Sequence, residues 1–306
     1  MIPLVAIVGP TGVGKTALAV HLAQCFDGEI VSADSRQLYR GMDIGTAKPT
    51  PEERDDVPHH LLDLINPSDD FSLALYLDLA QRAIADIHTR GKLPFLVGGT
   101  GHYVWALLEG LRLPQVPPDP ALRLEFAATL AQPNGLAILN RELAARDPVA
   151  SARIDRQNPR RVVRALEVIR ATGLPFSQAG AAVPRPYRTL ILGLTAPRSV
   201  LYAAVDARVD HMLAAGWLDE VQRLLDAGYS ADLPALSSLG YKHLVAHLRG
   251  ALSFDEAVVL IKQDTRRFAR RQYTWFKPKD PRIHWLDVTS PGFRERAEQA
   301  VLAFRT

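Results

Sequence analysis

Gly9-Pro10-Thr11-Gly12-Val13-Gly14-Lys15-Thr16 decides how this chain is read. The stretch fits G-x-x-x-x-G-K-[ST] without deviation. Val5 to Val8, before it, is a short β-branched run. Ala17 to Phe26, after it, is a helix-forming stretch with apolar positions at Leu18, Leu22 and Phe26. Strand, glycine loop, helix is the order of a phosphate-binding βα unit. In such a unit backbone N–H groups turn inward around a diphosphate, and glycines let the backbone come close. Gly9, Thr11, Gly12, Val13, Gly14, Lys15 and Thr16 are thus candidate diphosphate-binding residues. Lys15 adds a point charge, and Thr16 offers its hydroxyl to Mg²⁺.

Outward from the loop, Glu29 to Ala33 reads as a second buried strand closing at Asp34. Leu73 to Thr89 reads as a helix with Leu73, Leu77, Ala80, Ile84 and Ile87 in one stripe. Leu93 to Val97 is a third strand, closed by Gly98-Gly99. This alternation predicts an α/β fold, a parallel sheet with helices on both faces. Such sheets build their sites at the carboxyl ends of the strands, which puts Asp34 opposite the glycine loop. Asp34 is then a helix cap, a general base or a Mg²⁺ partner. ATPases usually carry an Asp at the end of a buried strand, whereas Leu93 to Val97 runs into Gly98-Gly99-Thr100. The phosphate is therefore expected to be a handle or a leaving group. Gly41 to Pro49 reads as an irregular surface loop.

From about Pro114 the texture changes. Leu113 to Pro120 reads as a proline hinge, followed by helices over Ala121 to Leu130, Leu136 to Ala145 and Arg160 to Thr172 with no strand between them. Pro184-Arg185-Pro186 closes the block, and Thr189 to Leu194 resumes as a strand. The expected organisation is an α/β core over 1–113 and 189–306 with an all-helical insertion domain over 114–188. Further helices are expected over Val200 to Ala215, Leu218 to Ala227 and Phe254 to Phe276, and a last strand over Ile283 to Leu286.

The chain has 306 residues, 47% hydrophobic and 23% charged, which excludes a disordered or collagen-like chain. Cys25 is the only cysteine, excluding an intramolecular disulfide and a zinc site built of cysteines; reducing cytosol is the natural compartment. No apolar run approaches the ~20 residues of a membrane span. Only seven of the 36 Lys and Arg residues are lysine. Between Ser151 and Thr189 eight arginines face only Asp155 and Glu167. Arg266, Arg267, Arg270, Arg271, Tyr273, Trp275 and Lys277 interleave cations with aromatics on one expected helix. Arg266/Arg270 and Arg267/Arg271 are like charges at i,i+4, self-repulsive unless an anion lies against them. Both patches suit RNA; a solvated basic face is the plainer alternative. His59, His60 and His102 read as hydrogen-bonding residues rather than metal ligands.

GPTGVGKT, then ADSRQLYRGMDIGTAKP, then HHLLD (His59 to Asp63), then LVGGTGHY (Leu96 to Tyr103) resembles, in order and spacing, the tRNA dimethylallyltransferase family. NPRRVVRALEV (Asn158 to Val168), SSLGYK (Ser237 to Lys242) and RRFARRQYTWFK (Arg266 to Lys277) extend the resemblance over nearly the whole chain. It implies a P-loop kinase-like core with a helical insertion. It implies transfer of a dimethylallyl group from dimethylallyl diphosphate to the exocyclic amine of the adenosine 3′ of a tRNA anticodon, assisted by Mg²⁺. By the same resemblance Asp34 is the general base, Thr100 a catalytic contact to the bridging oxygen or the tRNA, and Arg208 a further diphosphate partner. The implied contacts to the tRNA anticodon stem-loop fall on Asp34, Ser35, Arg36 and Gln37, on Arg123, Arg160, Arg161 and Arg164, on Gly240, Tyr241 and Lys242, and on Arg270, Arg271, Gln272, Trp275 and Lys277. Relatives often carry a larger or charged residue where this chain has Ser237-Ser238, which puts a direct role for those side chains in doubt. The zinc-finger extension of eukaryotic members is not expected, in keeping with the single cysteine. A cytoplasmic monomer is expected. The alternatives are an adenylate isopentenyltransferase on free nucleotides, a P-loop kinase, and a non-enzymatic RNA-binding P-loop switch.

Overall fold

The computed structural model describes residues 1–111, 116, 119–179 and 187–305. The first part runs β1 (Ile2–Val8), α1 (Lys15–Cys25), β2 (Gly28–Ser32), α2 (Pro51–Arg54), β3 (His59–His60), α3 (Leu73–Thr89), β4 (Leu93–Gly98) and α4 (Gly101–Leu108). Five of the seven β1 residues are buried and all of β2 and β4. Continuous burial of that kind belongs to strands covered on both faces. Ser72 caps α3 by accepting from the Leu75 N–H, and the buried face of α3 is Tyr76, Leu77, Ala80, Ile84 and Ile87.

The insertion consists of α5 (Pro120–Leu130), α6 (Gly135–Arg146), α7 (Pro148–Arg153), α8 (Pro159–Thr172) and α9 (Phe176–Ala179). Three of these helices start the same way. Asp119, Asp147 and Asn158 each accept from an N–H of the first turn, and each is followed by proline. Proline at the first helical position loses nothing, because its missing N–H would have had no partner inside the helix. Asp119-Pro120 is therefore a helix start and not the end of a hinge, a correction to the sequence reading. The rest of that expected hinge (Leu113, Pro114, Gln115, Pro117, Pro118) and Pro184-Arg185-Pro186 lie outside the described residues. Phe126, Leu139, Leu143, Val162, Ala165 and Leu166 form a core belonging to this unit. The chain divides into two compact units, Met1–Leu108 with Pro186–Thr306, and Glu109–Arg185.

The remainder is β5 (Tyr187–Thr195), α10 (Arg198–Ala214), α11 (Trp217–Asp226), α12 (Tyr241–Leu248), α13 (Phe254–Gln272), β6 (Ile283–Asp287) and α14 (Phe293–Arg305). The sheet has six strands in the order β3-β2-β4-β1-β5-β6, with every pairing parallel. Val5 pairs with Phe95 on one side and Leu190 on the other, which places β1 centrally. Its neighbours at the carboxyl end are the turns after β4 and β5, with the turn after β2 one strand further on. The sequence reading does not include α2, α4, α7, α9, α12 and α14; all but α14 have eight residues or fewer, too short for an apolar stripe to repeat.

Candidate active site

Gly14, with φ at 90°, ends the glycine loop in a conformation a side chain would strain, and α1 starts directly after it. No side chain caps this helix, so its first N–H groups stay available. Gly9 admits no side chain either, because a Cβ there would lie 2.5 Å from the Leu194 carbonyl oxygen of β5. The Lys15 ammonium donates to the Pro10 carbonyl at 2.8 Å. Burial, then the nearby Arg208 charge, push Lys15 down to about 8 against the opposing pull of Asp34. A cation held at such a disadvantage gains from an arriving anion.

A cavity of about 340 Å³ opens at this loop, lined among others by Lys15, Thr16, Asp34, Glu53, His59 and Arg208. Asp34 stands where the sequence placed it, just past the carboxyl end of β2, half-buried, with Oδ1 accepting from the Arg36 N–H at 2.8 Å. Its other oxygen faces no hydrogen-bond donor among the described residues. Arg208 reaches the same cavity from α10. The Thr16 hydroxyl has no hydrogen-bond partner among the described residues. Together with the carboxylates of Asp34 and Glu53 it presents oxygen atoms, the donor type that Mg²⁺ prefers. A second cavity, of about 230 Å³, shares Thr11, Asp34 and Arg208 with the first; Val205, Val209, Met212, Trp217, Leu239 and Phe268 make its apolar wall.

Two residues tie these turns together. Thr100 accepts from the Ser35 N–H at 3.1 Å, clamping the turn after β4 to the turn after β2. Gln272, 4% exposed at the end of α13, accepts from the Thr11 N–H at 2.8 Å and donates to the Gly99 carbonyl at 2.9 Å. Each polar atom of the Gln272 amide thus has a protein partner, and the side chain, which lines both cavities, ties the glycine loop to the turn after β4. The glycine loop owes its fixed position partly to this side chain.

The other expected RNA contacts divide in the same way. Arg36 donates to the Pro234 carbonyl at 3.0 Å, and Gln37 to the Ala47 carbonyl at 3.0 Å. Tyr241 is corrected: its ring is 1% exposed and its phenol donates to Glu220 at 2.6 Å. Burial, then the Glu220 charge, push that phenol well up, so it stays a donor. Gly240 packs on Trp217, and Lys242 pairs with Asp264 at 3.1 Å. Ser237 and Ser238 turn their hydroxyls onto the carbonyls of Pro234 and Ala235 in their own loop. In the insertion, Arg123 and Arg164 hold the fully buried Glu167 at 2.9 and 2.5 Å. Arg160 and Arg161 are exposed, and no ion pair engages them among the described residues.

On α13, Arg266 pairs with Asp206 at 2.9 Å and Arg267 with Asp264 at 3.1 Å. The repulsion expected along this helix is therefore relieved by the protein's own carboxylates at two of its four arginines. Arg270 and Arg271 remain exposed without an ion pair among the described residues. The helix ends at Gln272, where Thr274 and Trp275 make tight bonds to the carbonyls of Arg271 and Gln272, so Trp275 and Lys277 stand beyond it. Trp275, 43% exposed, stacks on His102 with ring centroids 5.9 Å apart. This pair is a flat aromatic surface just past Thr100, a feature that the sequence reading of His102 does not include.

A glycine loop opening a helix at the carboxyl end of a six-stranded parallel sheet, facing a carboxylate across a cleft, defines an α/β protein with its candidate site at the strand ends. The family description "IPP transferase" matches residues 37–279, and "Isopentenyl transferase" matches residues 2–63. The tRNA dimethylallyltransferase of Roseiflexus castenholzii is 55% identical over 98% of both chains, and that of Thermomicrobium roseum 53% identical over 98% of this chain and 90% of its own. The crystal structure of full-length tRNA isopentenylpyrophosphate transferase from Bacillus halodurans matches with TM-score 0.74 and 42% identity, over 99% of this chain and 97% of that one. A eukaryotic dimethylallyltransferase, solved acting on tRNA, matches with TM-score 0.85 and 27% identity over 98% of this chain and 78% of that one. The chain belongs to the tRNA dimethylallyltransferase family and is an enzyme of the prenyl-transfer class.

Proposed function

We propose that the protein transfers a dimethylallyl group from dimethylallyl diphosphate to the exocyclic amine of the adenosine 3′ of the anticodon in tRNA, releasing diphosphate. The observation that carries this reading is the pairing of an uncapped helix start and Lys15 with Asp34 across one cavity. One side of that cavity suits a departing anion, and the other suits an arriving proton.

An allylic carbon shares positive charge easily, so its bond to oxygen breaks once the diphosphate charge is neutralised. The N–H groups from Gly12 to Thr16, with Lys15 and Arg208, do this in a partly desolvated site, and the Thr11 N–H is held by Gln272. Mg²⁺, when bound, would be held by the Thr16 hydroxyl and would add charge neutralisation at the leaving group. The nucleophile is a weak aromatic amine. Asp34 accepts its proton as the carbon–nitrogen bond forms, a contribution of about 10²–10⁴-fold. Thr100 sets the height of the Asp34 turn through the Ser35 N–H. A nucleobase must leave its stack to reach this depth. Exposed Arg160, Arg161, Arg270, Arg271 and Lys277 suit the RNA backbone, and the Trp275–His102 surface suits an unpaired base.

Incubation of the purified protein with dimethylallyl diphosphate, Mg²⁺ and unmodified tRNA, followed by nucleoside mass analysis, tests the reading. A five-carbon increment on one adenosine is expected. Brisk ATP turnover with no increment on the RNA overturns it in favour of a kinase.

A further inference from the structure

Glu220 is 3% exposed, and no cation pairs with it among the described residues. Its partners are three consecutive backbone amides and a phenol. Oε2 accepts from the N–H groups of Asp43 and Ile44, both at 2.7 Å. Oε1 accepts from the Gly45 N–H at 3.2 Å and from the Tyr241 hydroxyl at 2.6 Å. A carboxylate removed from water without a cation is costly unless its lone pairs are filled, and here four donors fill them. Three successive N–H groups turned toward one anion form a concave nest. In this case the anion belongs to the protein, so the nest takes its shape from α11.

The nest lies on the wall of the site. Thr46 and Ala47, directly after it, line both cavities, and Gly45 lines the apolar one. Trp217, one turn before Glu220 on α11, packs on the same segment. A Cβ on Gly45 would fall 1.9 Å from Trp217 Nε1, and one on Gly240 would fall 2.1 Å from the far edge of the same indole. The other end of the segment is pinned by Lys48. Its buried ammonium bridges Asp43 and Asp63, both at 2.5 Å, and donates to the Tyr39 carbonyl at 2.8 Å. Residues 43–48 have no helix or strand of their own, so these anchors set where the wall stands.

We propose that Glu220 is a positioning residue that fixes the width of the apolar cavity and thereby limits the donor to a short allylic chain. This rests on the reading of the site as an allylic-diphosphate site. The diphosphate end is held by the glycine loop and Lys15, which Glu220 does not touch. The hydrocarbon end meets the wall that Glu220 holds. Loosening that wall admits a longer chain and weakens the fit of the short one, while leaving the grip on diphosphate unchanged.

Glu220→Gln keeps the side-chain volume but turns an amide N–H₂ toward groups that already donate. The experiment measures kcat and KM with dimethylallyl and geranyl diphosphate on the same tRNA, for the wild type, Glu220→Gln and Tyr241→Phe, together with melting temperature and inorganic diphosphate affinity. The expected result for Glu220→Gln is a kcat/KM ratio of geranyl to dimethylallyl donor raised about 10-fold or more, carried mainly by KM. Diphosphate affinity is expected to stay within about 3-fold of wild type, because the glycine loop is untouched. Tyr241→Phe removes one of the four donors, leaves the carboxylate in place and gives the same change at smaller size. It carries the test should the glutamine variant fail to fold. A donor ratio equal to wild type in a folded variant overturns the proposal. Parallel loss on both donors, the mark of a merely structural role, overturns it too. A wild-type enzyme that prenylates no tRNA removes the reading of the site itself, a result distinct from either.

Discussion

Lys15 and Glu167 are both poorly solvated charges, one at the carboxyl end of the sheet and one inside the helical insertion, and the protein treats them in opposite ways. Lys15 has a single backbone carbonyl as its partner and faces another cation across the cavity. Glu167 accepts from Arg123, Arg164 and the Asp119 N–H. Burial pushes its carboxyl up, yet these partners outweigh burial and leave it below the ordinary carboxylate range. Their helix starts differ as well. The helix after Gly14 begins without a side-chain cap, whereas α5, α7 and α8 each begin with one. The uncapped start after Gly14 opens on the cavity beside Lys15, whereas the uncapped start of α6 in the insertion borders no cavity described above. Polar groups satisfied within the insertion hold it together.

Stripping Glu167 of both cations is the strongest way to break this contrast. The double variant Arg123→Met/Arg164→Met should lose about 3 kcal/mol of stability at neutral pH, as expected when a buried carboxylate loses its partners. Glu167 has its folded pKa depressed, so its contribution is complete above the unfolded value of 4.5 and fades as pH falls through the lower folded value. Denaturant melts across that window should show wild type and double variant converging in acid. A constant gap would mean that packing by the arginine stems, rather than their charge, is what matters. Lys15→Ala should do the reverse. It should leave stability near wild type and weaken inorganic diphosphate binding by about 10- to 100-fold, read by calorimetry. Equal affinity would take the loop out of the site.

Smaller effects sharpen the contrast among the arginines. Arg160→Ala and Arg270→Ala, which remove exposed cations without ion pairs, should each lower the salt slope of tRNA binding by up to about one unit. Arg266→Ala should change it less, because Asp206 already neutralises that charge. Identical slopes for all three variants would return both patches to plain solvated surface.

Much of this was legible before the fold was known. The strand–loop–helix at Gly9 to Phe26 and the position of Asp34 rest on local signals, glycine spacing and strand ends, and the structure reproduces their placement. The helix expected over Leu73 to Thr89 appears with those bounds because one apolar stripe is continuous along it. Which polar side chains the protein keeps for itself was not legible. Gln272 sits in a basic, aromatic run that suits RNA, and only the fold reveals that its partners are Thr11 and Gly99, far off in sequence. Glu220, next to Asp219 in the first turn of α11, reads locally as a match to the helix dipole. Its partners at 43–45 lie in a stretch with no periodic pattern, so nothing in the sequence joins the two. Long-range hydrogen bonds of this kind leave no mark in spacing.

The most direct measurement is a single-turnover assay of Asp34→Asn with dimethylallyl diphosphate, Mg²⁺ and unmodified tRNA, run beside a tRNA-binding titration. With the carboxylate as proton acceptor, the rate constant should fall by about 10² or more while tRNA affinity stays within a few-fold. An unchanged rate in a variant that still binds tRNA would contradict the account.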